Sequence, residues 1–108
     1  MAWSPVSRET FDKILQEEVE ALTTEAAGIY ARYATTPFEQ ACLRGADYDV
    51  ERVFVVARDG TRLLFFDDIE EDFGVGVPDD DGILRDMGTF GPLIAAVLAL
   101  GKRPTDLL

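Results

Sequence analysis

Eight carboxylates fall between positions 67 and 81, in two groups: Asp67, Asp68, Glu70, Glu71 and Asp72, then Asp79, Asp80 and Asp81. Side chains of this kind can attract a cationic surface, chelate a hard cation, or pass protons. Chelation by a helix-loop-helix calcium site is excluded by spacing. Aligning Gly82 with the invariant glycine of such a loop puts Val77 at the first ligand position and Gly88 where a bidentate Glu belongs. A divalent-cation site of another kind, assembled from the two acidic stretches, stays open as an alternative, because hard cations need several oxygens. Proton transfer by paired acids needs two carboxyl groups with separated pKa values in a cleft, and abundance of acids does not establish that.

Nucleophilic chemistry has few means here. The chain has no histidine, and its two serines, Ser4 and Ser7, lie outside any strand-turn-helix elbow. Cys42, the single cysteine, has no histidine to act as its base and reads as a small core hydrophobe. Gly74-Val75-Gly76 lacks the third glycine and the Lys-Ser/Thr of a phosphate loop, and its acidic neighbours would repel phosphate. The reading is therefore of a protein that is not an enzyme, with no cofactor and no resident metal.

Charge points elsewhere. Asp and Glu number 21 against 10 Lys and Arg, a formal net charge of −11 with a sequence pI near 4.2. A nucleic-acid binder needs a basic stripe to displace counterions, so that class is excluded. A field of this sign instead speeds encounter with basic partners. The expectation is a small acidic protein-binding module, of the inhibitor or immunity type, that engages a basic protein through Asp67, Asp68, Glu70, Glu71 and Asp72 together with Asp79, Asp80 and Asp81. The alternative is a structural protein that forms a homodimer through an apolar surface, the acids serving solubility.

The elements that must position these groups are legible in outline. At 108 residues and 47% hydrophobic positions, residues 1–108 form one domain. Ser7 or Thr10 can cap a helix running to Leu22, and Thr23 or Thr24 can cap a shorter one ending near Thr35, Thr36 and Pro37. On the first helix Phe11, Ile14, Leu15, Val19 and Leu22 share one arc. Glu18 falls inside that arc, a buried-polar candidate: a carboxylate held for binding or proton transfer, an ion pair to an arginine from the sheet (Arg44, Arg52 or Arg58), or a sign that the stripe is only partly buried. Residues 38–43 read as either a strand or a helical turn, and 45–49 as a loop.

Val53 to Arg58 and Thr61 to Phe66 flank Asp59-Gly60, the signature of a tight hairpin. With Asp59 and Gly60 as the loop, Arg58 faces Thr61, Val56 faces Leu63, Phe54 faces Phe65 and Arg52 faces Asp67. Both faces of this hairpin are apolar, so each must be covered. The acidic ridge and a loop from Gly74 to Gly82 follow. A C-terminal helix runs from Pro92 to Leu100, stops at Gly101 and carries Lys102 and Arg103 at its negative end. It is apolar all round and so must be buried. The expected fold is α+β: an N-terminal helix and a short second one, an antiparallel sheet centred on a 51–69 hairpin, and the buried 92–100 helix. With no leader-like N-terminus and no apolar run near ~20 residues, the expected location is the cytoplasm, away from membranes.

Overall fold

Both N-terminal helices begin where a hydroxyl reaches an unpaired amide. In the computed structural model, which describes residues 7–44, 49–68, 71–85 and 89–102, Ser7 Oγ accepts from Thr10 N at 3.1 Å. Thr23 Oγ1 accepts from Ala26 N at 3.2 Å. These caps open α1 (Arg8–Glu20) and α2 (Thr24–Tyr33). The chain then extends at once into β1 (Ala34–Arg44), because Thr35 and Thr36 are β-branched and Pro37 denies helical backbone to the residue before it. Residues 38–43 are thus strand, with Phe38 and Cys42 in one apolar cluster. The expected loop at 45–48 lies outside the described residues, and Asp49 already belongs to β2 (Asp49–Asp59).

The hairpin of β2 with β3 (Arg62–Asp67) forms in a register different from the expected one. Asp59 faces Arg62, so the two loop residues are Gly60 and Thr61 rather than Asp59 and Gly60. Gly60 takes φ +62 at the first loop position, the place a type II′ turn reserves for glycine. Pairing then runs Arg58 to Leu63 and Ala57 to Leu64. An irregularity between Val55 and Ala57 resets it to Val55 with Phe65 and Phe54 with Phe66. The extra residue at this bulge lets Val56 and Ala57 join the same cluster, although strict alternation would send them to opposite faces.

The residues expected to form a loop from Gly74 onward begin as β4 (Asp72–Gly76), which pairs with β3 from Asp67–Asp72 to Leu63–Gly76. Period-2 alternation explains it. Phe73 and Val75 join the helix-side cluster, while the buried Gly74 and Gly76 lie opposite Phe65 and Leu63. The order of the six-stranded sheet is β5-β1-β2-β3-β4-β6, where β5 is Leu84–Arg85 and β6 is Thr89–Gly91. Only β1 and β5 are parallel among these pairs. A further bridge, Pro78 to Leu84, joins the continuation of β4 to β5, which itself pairs with β1. The strands therefore close into a ring, and the sheet curls on itself.

Two clusters result, one on each face, so both apolar faces are covered within the chain. The inner cluster of Phe38, Cys42, Val53, Val55, Leu63, Phe65 and Leu84 is drawn wholly from strands, as the interior of a curled sheet requires. On the outer face Phe54, Phe66 and Phe73 occupy one row across β2, β3 and β4. Phe11 of α1 stacks on Phe54 with ring centroids 4.5 Å apart and tilts against Phe66 at 5.5 Å.

The last helix, α3 (Leu93–Gly101), completes this outer core by burying Leu93, Ala96, Val97 and Leu100. Pro92 stands at its N-cap, one position earlier than expected, and supplies no side-chain bond. Glu18 does so from α1. Its Oε1 accepts from Leu93 N at 2.9 Å, so the partner of this half-buried carboxylate is a helix N-terminus rather than an arginine. Arg52 instead pairs with Glu39 at 3.2 Å and Arg58 is exposed, while the Arg44 side chain lies outside the described residues. The opposite end of α3 is held by Arg62, which donates to Ala99 O at 2.8 Å and Lys102 O at 2.9 Å. Lys102 is the exposed C-cap, and Arg103 lies outside the described residues.

Replacing Glu18 with Ala strands the Leu93 amide and should cost about 1–2 kcal/mol in a urea unfolding curve, with Glu18→Gln losing less because it keeps an acceptor. Burial raises the Tyr30 phenol above its ordinary value of 10.0. The folded chain thus resists an ionisation open to the unfolded one, and this contribution, complete below pH 10, is lost as pH climbs through the raised value. Tyr30→Phe should flatten that alkaline fall in a thermal-melt series.

Candidate functional site: the acidic turn and hairpin tip

The acidic ridge is the end of a hairpin. Asp67 closes β3, Asp72 opens β4, and the two face each other directly in the sheet register. Directly opposed residues hold their Cβ atoms about 4.5–5.5 Å apart, and like charges in that position repel. Asp68 follows Asp67 half-buried, and Glu71 is exposed with φ 56, in the left-handed region where a turn reverses the chain. Glu70 lies outside the described residues. The structure therefore brings together Asp67, Asp68, Glu71 and Asp72.

Asp79, Asp80 and Asp81 stand apart from them. They form a second turn beyond the far end of β4, roughly 20 Å from the first at ~3.3 Å per strand residue. Asp79 is committed to that turn. Its Oδ1 accepts from Asp81 N at 2.9 Å and Ile83 N at 3.1 Å, its amide donates to Ile83 O, and its carbonyl accepts from Gly82 N. Gln40 Nε2 donates to Gly82 O at 2.7 Å, which pins the tip to β1. Asp80 and Asp81 are exposed. The acids singled out in the sequence thus make two negative surfaces, one at each end of β4.

Other carboxylates lie elsewhere on the surface: Glu9, Asp12, Glu17 and Glu20 on α1 and Glu25 on α2 are all exposed. Arg8 takes up part of that charge through an ion pair to Asp12 at 2.9 Å. Among the described residues no group of three or more Cys, Asp or Glu is placed to hold a metal ion, and no helix is long and apolar enough to cross a membrane. The hairpin and C-terminal helix, whose apolarity suggested a homodimer, spend that surface inside the chain.

One feature escaped the sequence reading. A groove of about 370 Å³ runs beside α2 and the end of α3, lined by Glu25, Gly28, Ile29, Arg32, Tyr33 and Gly101. The available signal was a helix-interior glycine flanked by opposite charges two turns apart.

No protein-family model matches the chain, and comparison with curated proteins and with solved structures finds no significant match in either.

Asp79→Ala should cost about 1 kcal/mol and loosen the tip, read as faster amide exchange at Asp81 and Ile83. Asp79→Asn, which keeps the accepting oxygen, should preserve that protection.

Proposed function

We propose that this chain is a small acidic protein-binding module that engages a basic protein through the turn formed by Asp67, Asp68, Glu71 and Asp72, as an inhibitor or immunity-type protein would. The observation that carries this reading is the direct cross-strand opposition of Asp67 and Asp72, with Asp68 and Glu71 beside them. Carboxylates gathered in this way at one hairpin end present a negative patch that complements a cationic surface. The net charge of −11 supports the reading by drawing such a partner in from a distance. Asp80 and Asp81, at the other end of β4, belong to a second contact region, and Asp79 serves by shaping it.

Immobilised chain should retain a protein of high isoelectric point from the native host's extract at low salt and release it as the Debye length shrinks. The triple variant Asp68→Asn, Glu71→Gln, Asp72→Asn should lose most of that retention, and Asp80→Asn with Asp81→Asn should lose less. Retention indifferent to salt and to the triple variant would sink the proposal.

A further inference from the structure

We infer that α2 is a homodimer interface, packing antiparallel against α2 of a second copy about a twofold axis beside Gly28 and Ile29. This rests on observations separate from the acidic turn. At 100° per residue Glu25 and Arg32 fall within about 20° of each other on the helix, with Gly28 and Ile29 on either side of their shared direction. Both charged residues are exposed, and neither has an ion-pair partner among the described residues. Two turns separate them, about 10 Å of rise, too far to pair with one another.

Twofold antiparallel packing removes that distance. An isologous contact centred between positions 28 and 29 sets Glu25 of each copy against Arg32 of the other, two ion pairs from one patch. A parallel arrangement in register would set like against like.

Gly28 supplies the second argument. A glycine inside a helix costs about 1 kcal/mol relative to alanine, a cost worth bearing where another backbone approaches closely. Gly101 shows such a reason within the chain, since a Cβ there would meet Ile29 at 3.1 Å. Gly28 shows none: a Cβ there would meet nothing within 4 Å, and the residue is exposed on the groove. A second helix lying over it uses the missing side chain, while the half-buried Ile29 and Tyr33 give the contact its apolar floor.

Sedimentation equilibrium in about 0.15 M salt, where the ~8 Å Debye length limits repulsion between two acidic copies, tests this. The wild-type chain should approach twice 11.9 kDa as concentration rises. Glu25→Arg alone and Arg32→Glu alone each set like charges in contact and should weaken association at least about tenfold, a change of ~1.4 kcal/mol. The double variant E25R/R32E should restore it, since the twofold exchanges the two positions. Gly28→Leu should leave the monomer folded, since a Cβ there meets nothing within 4 Å, and abolish the dimer. A chain monomeric at every concentration, a dimer indifferent to the single reversals or to Gly28→Leu, or a double reversal without recovery overturns the inference.

Discussion

Helix α3 is held at both ends by charge from elsewhere in the chain, and the rest of the outer core is arranged around that fact. Its N-terminal amide at Leu93 meets the carboxylate of Glu18, and its terminal carbonyls at Ala99 and Lys102 meet the guanidinium of Arg62. Each charge is of the sign the helix dipole favours at that end. α3 is nine residues long, too short to persist alone in water, and its own sequence offers neither a capping side chain at Pro92 nor a basic residue in its last turn. The two contacts also fix geometry, since one ties α3 to α1 and the other ties it to the first residue of β3.

That second tie depends on the hairpin register. Arg62 reaches α3 because the loop is Gly60-Thr61, which places Asp59 and Arg62 opposite one another on the helix side of the sheet. The same register, reset at the bulge, aligns Phe54, Phe66 and Phe73 under Phe11. The turn therefore sets the register at Arg62, and the bulge sets the aromatic row. The opposite face needs no helix, because closure through Pro78 and Leu84 lets the sheet bury its inner side chains against themselves.

The acids occupy what this architecture leaves at its ends. Hairpin ends are where polar turn residues gather, and β4 has a turn at each end, so the charge divides between them. Asp79 shows how an acidic run can conceal a structural residue: its two accepted amide bonds make it the organiser of a turn whose neighbours, Asp80 and Asp81, face solvent.

The sequence by itself determined the α+β class, the capped starts of α1 and α2, the existence of the hairpin and the burial of the last helix. Each of these follows from residue types within a few positions of one another, such as Ser7 with Thr10, or glycine between two β-branched runs. Tertiary structure decided the register, the strand character of 72–76 and 38–43, the partner of Glu18 and the separation of the acidic groups. These are relations between residues distant in the chain: Glu18 finds Leu93 only once α1 and α3 share a core, and the bulge between Val55 and Ala57 shifts the register so that phenylalanines align across three strands. Local chemistry names the elements, and long-range packing selects among the pairings that local chemistry permits.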